Sequence, residues 1–191
     1  MEFKRRNPLI ILICGRARSG KNTLAKYLEE SYHSALKDVV ISPYTKYLKY
    51  YIEQITGEKI DDDNKPRDLL QQISSKIIKG ELKNNSFFIN RQIEDIDVYS
   101  YFTDVIIIPD VRFPREIDVI KEKYSNVVSV GITRQDYIST LTKEQLNDIT
   151  ETALNNYHDY DYEIENINKN DLKVKALELI AKIEEREFNN E

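Results

Sequence analysis

Hydrophobic and polar positions along the chain follow two alternating patterns. Short apolar runs or strand-like segments lie near residues 9–14, 38–42, 104–109, 126–132 and 161–165, and between them apolar residues recur three or four positions apart. Short apolar runs are typical of strands buried on both faces, and the wider spacing predicts amphipathic helices. The alternation therefore predicts an α/β fold in which helices cover a parallel sheet.

Two of the helical segments have a clear apolar stripe. The first begins after Pro66 and is expected to bury Leu69, Leu70, Ile73 and Ile77. The last helix of the chain should pack on the sheet and begin at Asn170 as its N-cap. Its predicted buried face consists of Leu172, Ala176, Leu179, Ile180 and Ile183.

Two longer segments depart from a simple succession of strands and helices. Residues 43–100 have helical patterns without a convincing strand, and residues 134–160 are polar with little periodicity. At 191 residues the chain is long enough for one domain with a sizeable core. We therefore expect a single domain over residues 1–191 that carries two insertions.

Composition and charge narrow the possible partners and the compartment. A net charge of −5 and a pI near 5.3 argue against a nucleic acid polymer as the main partner. The single cysteine, Cys14, excludes an internal disulfide. No stretch approaches the roughly 18 apolar residues of a membrane span, and the apolar run behind residues 1–7 is too short for a signal peptide. We expect a cytoplasmic monomer or homodimer without a membrane partner.

The first apolar run leads directly into a candidate phosphate-binding loop. Two glycines with four residues between them, the second followed by a lysine, match the pattern of a Walker A motif between a strand and a helix. Backbone N–H groups and the helix dipole favour a polyphosphate there, and Lys21 can reach its outer phosphates. The candidate nucleotide-binding residues are Gly15, Arg16, Ala17, Arg18, Ser19, Gly20, Lys21, Asn22 and Thr23.

The loop departs from the common form at one position. Asn22 follows the lysine, where Ser or Thr usually binds magnesium, and Thr23 comes one residue later. Lys-x-Thr is the arrangement that nucleoside monophosphate kinases such as adenylate kinase use, with the metal held mainly through water. This departure favours a small kinase over a GTPase.

A second candidate site follows the third predicted strand. Asp110, Arg112 and Arg115 come directly after the apolar residues 105–108, and ligands of open α/β sheets bind beyond the carboxyl ends of the strands. A carboxylate there can hold magnesium through water, and guanidinium groups match phosphate oxygens. The alternative is that Asp110 caps the helix begun by Pro114 and that the arginines form surface ion pairs.

These motifs, in this order, resemble the bacterial and phage deoxynucleoside monophosphate kinase family over nearly the whole chain. The resemblance rests on the loop 15–23, on Lys65-Pro66-Arg67 with residues 69–71, on residues 109–116, and on residues 160–166 before the last helix. Dephospho-coenzyme A kinase is a relative that shares the terminal pattern. The fold implied is a three-layer P-loop fold with strand order 2-3-1-4-5, an acceptor-binding insertion at 43–100 and a lid at 134–160.

The resemblance implies transfer of the γ-phosphoryl group of ATP to a (deoxy)nucleoside 5′-monophosphate, with Mg²⁺. Lys21, Asp110 and Arg112 would be the catalytic residues, and Asp110 would organise the metal, through water. The base and sugar of the acceptor are not implied. Within the candidate lid, residues 135–160 contain one lysine and no arginine. This departs from adenylate kinase, whose lid supplies arginines to the transferring group.

The same resemblance implies residues for the two substrates. Arg67 and Arg112, with Lys49 or Arg115, would bind the acceptor phosphate. Arg134, directly after the fourth predicted strand, would lie near the donor nucleotide.

Two other classes of function remain open. One is a kinase of the same fold for another phosphate-bearing small molecule, such as dephospho-coenzyme A. The other is a nucleotide-binding regulator or hydrolase without kinase turnover. A GTPase normally has an Asn-Lys-x-Asp signature after a late strand; residues 168–171 have these letters but head the last helix, so we interpret them as a coincidence.

Overall fold

The computed structural model describes residues 3–60, 66–134, 142 and 146–190, without the side chains of residues 67, 187, 189 and 190. Its strands are β1 (Leu9–Cys14), β2 (Val39–Ile41), β3 (Val105–Val111), β4 (Val127–Thr133) and β5 (Tyr162–Glu165). Its helices are α1 (Lys21–Ser34), α2 (Lys46–Thr56), α3 (Arg67–Gln71), α4 (Phe87–Tyr99), α5 (Pro114–Lys123), α6 (Ile149–Thr152) and α7 (Lys169–Asn190). A π-helix, Gln72–Glu81, continues α3.

The described strands form one parallel sheet in the order β2-β3-β1-β4-β5. This confirms the predicted fold class and strand order. Strand β1 is buried along its whole length. Alternate side chains of a strand point to opposite faces, and helices cover both faces of this sheet. Leu9, Ile11 and Ile13 pack with α1 and α7 on one face, whereas Ile10, Leu12 and Cys14 pack with α2, α4 and α5 on the other.

Strand β3 extends two residues beyond its predicted end at Pro109. Its register with β1 shifts between the pairs Leu12–Ile108 and Cys14–Val111. Proline cannot donate a hydrogen bond to a neighbouring strand, so a central strand accommodates it at such an irregularity. The extension places Asp110 and Arg112 at the carboxyl edge of the sheet, next to the end of β1.

The segment after Pro66 winds differently from the predicted helix. Ile73 and Ile78 are buried and Ile77 is 46% exposed, so the expectation that Ile77 faces the core is wrong. A π-helix has hydrogen bonds from residue i to i+5. The wider turn brings Ile78 rather than Ile77 beneath Ile73.

The last helix confirms its predicted apolar face but not its predicted cap. Leu172, Ala176, Leu179 and Ile183 are buried against the sheet, and Ile180 packs beside them. The helix begins earlier than expected, and the Asn168 Oδ1 atom accepts hydrogen bonds from the N–H groups of residues 170 and 171. Asn168 is therefore the cap in place of Asn170. None of the described helices is long and apolar enough to cross a membrane.

Candidate active site

The loop between β1 and α1 follows a tight backbone path that depends on its glycines. Gly15, Arg18 and Gly20 have φ values of 149°, 61° and 109°, in the region that glycine adopts most easily. A Cβ atom on Gly15 would also collide with the carbonyl oxygen of Ile132. The two glycines thus let the loop turn tightly beside β4 and end at the first residue of α1.

Lys21 lies inside this loop and is 6% exposed. Its Nζ atom donates hydrogen bonds to the carbonyl oxygens of Gly15 at 2.8 Å and Arg16 at 2.6 Å. Burial, followed by the nearby Arg112 guanidinium, lowers the pKa of Lys21 to about 7. The ammonium group is held at the position from which it can transfer its hydrogen bonds to a phosphate.

The end of β5 supports the loop from the other side. The buried Asn166 Nδ2 atom donates a hydrogen bond of 2.8 Å to the carbonyl oxygen of Ser19. A Cβ atom on Gly20 would collide with the same amide. Asn166 belongs to the segment 160–166 on which the resemblance partly rests, but its contact joins residues 147 positions apart, which local spacing does not reveal.

Asp110 lies beyond β3 and holds the start of α2. Its Oδ1 atom accepts a hydrogen bond from the Tyr44 N–H, and its Oδ2 atom accepts from the N–H and hydroxyl of Thr45, all within 3.0 Å. Asp110 therefore does not cap the helix that begins at Pro114, and that part of the alternative is wrong. Its carboxylate joins the sheet edge to the predicted acceptor segment.

The cap of α5 is Glu116, which the sequence reasoning did not single out. Its Oε2 atom accepts hydrogen bonds from the N–H groups of Arg112 at 2.8 Å and Phe113 at 3.1 Å. Burial raises the pKa of the Glu116 carboxyl to about 7, against the lowering effect of the two backbone N–H groups. The signal that could have found it is the three-residue spacing from Phe113 to Glu116, which is the spacing of a capping box.

Arg112 contacts both the loop and the segment before β5. Its Nη1 atom lies 2.8 Å from the Glu151 Oε1 atom and 3.5 Å from the carbonyl oxygen of Gly15. The Glu151 Oε2 atom in turn accepts a hydrogen bond of 2.6 Å from the Ala17 N–H. Glu151 was not among the predicted site residues, since an isolated glutamate in a polar segment carries no sequence signal.

Two cavities meet at this edge of the sheet. We call the loop between β1 and α1, residues 15–20, the phosphate loop. The loop cavity, of about 630 Å³, is bounded by this loop and the start of α1. The aromatic cavity, of about 150 Å³, is lined on part of its surface by Tyr44, Phe88 and Phe113. Three residues line both cavities and form their shared wall: Thr45, Asp110 and Arg112.

The other predicted site residues divide between these cavities and the surface. Lys49 and Arg134 line the loop cavity, together with Arg18, Asn22 and Thr23. Arg115 is exposed, and its Nη2 atom contacts the Ser86 hydroxyl at 3.4 Å; it is not part of the lining described for either cavity. The side chain of Arg67 lies outside the described residues, as does Lys65.

The tyrosines of the predicted acceptor segment do not share one role. Tyr44 is buried and lines the aromatic cavity. Tyr47 donates a hydrogen bond to Asp95, and the Tyr51 ring packs 6.3 Å from that of Phe87. Only Tyr44 of these three is placed to contact a molecule in the cavity.

The site chemistry fits a magnesium ion that arrives with a nucleotide. Among the described residues there is no group of three or more His, Cys, Asp or Glu that could hold a metal. Mg²⁺ is usually bound by one or two carboxylates with substrate phosphates and water. Asp110, which already accepts three protein hydrogen bonds, is suited to hold it through water.

Comparison with known proteins identifies the fold. No protein-family model matches the chain, and no curated protein matches it in sequence. A mutant APS kinase from Mycobacterium tuberculosis is 7% identical with a TM-score of 0.53, over 92% of this chain and 99% of that one. A gluconokinase from Sinorhizobium meliloti is 13% identical with a TM-score of 0.53, over 97% and 99%.

A third solved structure has the same likeness. Shikimate kinase from Aquifex aeolicus is 14% identical with a TM-score of 0.51, over 94% of this chain and 99% of that one. At these identities the likeness is one of fold. The chain has the α/β fold of small P-loop kinases, and this likeness does not identify a substrate.

Proposed function

We propose that the protein transfers the γ-phosphoryl group of ATP to a (deoxy)nucleoside 5′-monophosphate. The observation that carries this proposal is the shared wall: Asp110 and Arg112 line both the loop cavity and the aromatic cavity. A phosphoryl group bound by the loop would need to travel only across this wall to reach an acceptor. Aromatic rings such as those of Tyr44 and Phe113 suit the flat face of a nucleobase.

Residues of the loop and of the shared wall have complementary roles in this reaction. Lys21 and the loop N–H groups would neutralise the donor phosphates, and Arg112 would stabilise charge on the transferring group. Mg²⁺, when bound with ATP, supplies further charge neutralisation on the phosphates. Asp110 would orient water around that metal while it keeps Thr45 in place beside the acceptor. Positioning and electrostatics of this kind account for most phosphoryl-transfer catalysis.

The remaining assignments are part of the same proposal. Arg134 and Lys49 both line the loop cavity. Arg134 would contact the donor nucleotide, and Lys49 the acceptor phosphate. Arg67 would bind the acceptor phosphate, and Arg115 would do so after movement of its segment. Residues 43–100 would be the acceptor-binding insertion, residues 134–160 the lid, and the protein a cytoplasmic monomer or homodimer.

A panel assay tests the proposed function. Protein with magnesium and ATP should phosphorylate at least one ribo- or deoxynucleoside monophosphate, and Lys21→Ala should reduce that rate by roughly 10²-fold or more, since it removes a charge on the phosphates. Lys182→Ala, an exposed lysine on α7 that is not part of the lining of either cavity, is the control. If the protein phosphorylates dephospho-coenzyme A but none of the monophosphates, the hypothesis of a kinase for another phosphate-bearing molecule replaces this proposal. ATP hydrolysis that is independent of every acceptor would instead indicate the hydrolase class.

A further inference from the structure

A carboxylate of the protein lies where the phosphate loop is built to hold an anion. The Glu151 Oε2 atom accepts the Ala17 N–H at 2.6 Å, and its Oε1 atom pairs with the Arg112 Nη1 atom at 2.8 Å. The Glu151 side chain is 9% exposed. Backbone N–H groups and guanidinium groups both bind phosphate oxygens. In the free protein Glu151 accepts from one donor of each type.

Glu151 and a phosphate cannot use these donors together. Ala17 has one backbone N–H group, and the Glu151 oxygen already accepts it. A phosphate oxygen placed on the same N–H would also lie against a carboxylate of like charge. The two anions therefore compete for one position in the loop.

The segment that carries Glu151 is held to the loop by polar contacts. We call residues 148–155 the docking segment; it contains α6, whose four residues are all partly or fully exposed. The Arg16 Nε and Nη2 atoms donate to the Asn155 Oδ1 atom at 3.1 and 2.7 Å. The Arg112 Nη1 atom also approaches the Thr150 carbonyl oxygen, at 3.4 Å. Release of α6 from the loop would break these contacts without exposing a buried apolar side chain of α6.

We propose that Glu151 is an internal anion that occupies the phosphate site of the free protein, and that nucleotide phosphates bind by displacing it. This inference rests on the proposed function, because it requires nucleotide at the phosphate loop. Displacement frees Arg112 for the transferring phosphoryl group. The docking segment has no arginine of its own, and it contributes by releasing Arg112 of the shared wall. Nucleotide affinity is then set partly by the docking segment.

Calorimetric titration with ADP tests the displacement. Glu151→Gln retains the size of the side chain but removes its charge, so we expect ADP to bind about 10-fold more tightly than to the wild type. Glu151→Asp retains the charge but shortens the reach by one methylene, so it too should tighten binding. Inorganic pyrophosphate should show the same gain, since it carries phosphates without a base. Glu178→Gln, an exposed glutamate on α7, changes the net charge equally and should leave both affinities unchanged.

The variants separate the possible explanations. If Glu151→Gln binds ADP no more tightly than the wild type, the displacement is refuted and the proposed function is unaffected. If Glu151→Gln tightens binding and Glu151→Asp does not, the effect is long-range repulsion, which also refutes displacement. If the folded wild type and every variant bind neither ADP nor pyrophosphate, the proposed function fails and the inference fails with it.

Discussion

At the scale of single residues, the carboxyl of Glu116 caps α5 from a buried position. It holds the N–H groups at the turn from β3 into α5, and this turn carries Arg112 into both cavities. Solvent no longer stabilises the charged form, so the pKa of Glu116 rises to about 7. The charge at this cap therefore opposes folding at neutral pH.

The pH dependence of stability should reveal this effect. A carboxyl with a raised pKa contributes stability below its unfolded pKa of 4.5, and loses it as pH rises through about 7. Between these values the wild type should lose about 3 kcal/mol of unfolding free energy relative to Glu116→Gln, which cannot ionise. Urea denaturation of both proteins from pH 4 to 8 measures the difference. If the unfolding free energies of the two proteins change in parallel over this pH range, Glu116 keeps an ordinary pKa in the folded protein.

At the scale of elements, the contact between β5 and the phosphate loop links the far end of the chain to its beginning. Strand β5 is the edge of the sheet next to β4, and Asn166 follows it directly. The Asn166 amide holds the Ser19 carbonyl oxygen at the turn into α1. The C-terminal part of the fold thereby stabilises a loop whose own residues include three with positive φ.

Removal of this amide should weaken both folding and binding. Asn166→Ala leaves the Ser19 carbonyl without its partner in a buried position, which costs about 1–3 kcal/mol. The loop is also less well ordered before it binds, so the dissociation constant for ADP should rise several-fold. Thermal denaturation and calorimetry give the two values, with the exposed Asn156→Ala as control. A variant with wild-type stability and affinity would mean that the loop is ordered without this contact.

At the scale of the whole molecule, the sheet edge brings two cavities to one wall. The loop cavity depends on β1 and α1, and the aromatic cavity on α2, the π-helix segment and the turn after β3. Asp110 connects these parts, because its carboxylate accepts from the backbone at the start of α2. A donor and an acceptor could therefore be bound side by side.

Simultaneous occupation can be tested with a linked ligand. The acceptor found in the panel assay, joined to adenosine through a polyphosphate chain, should bind at least about 10²-fold more tightly than ADP, since the second contact becomes intramolecular. Competition against ATP and against the acceptor measures both contacts. The control is ADP mixed with the free monophosphate. If the linked ligand binds only as tightly as ADP, the two cavities are not filled together.

Much of this architecture follows from local patterns. The five predicted strands agree with the described ones to within two residues at each end. The consecutive apolar residues of β1, β3 and β4 specify burial on both faces. The errors are also local in origin. Ile77 is exposed because the helix changes to π-helical winding, and the cap of α7 is Asn168, two residues before the expected position.

Local order along the chain is enough to specify the strands, the glycine-rich loop after β1 and the polar residues after β3, because each depends on neighbouring residues. How these parts meet is a property of the folded molecule. The contacts of Glu151 with Ala17 and of Asn166 with Ser19 join residues 134 and 147 positions apart. Hydrophobic periodicity has a range of a few residues, whereas such contacts depend on which strands are neighbours and which loops end at the same edge.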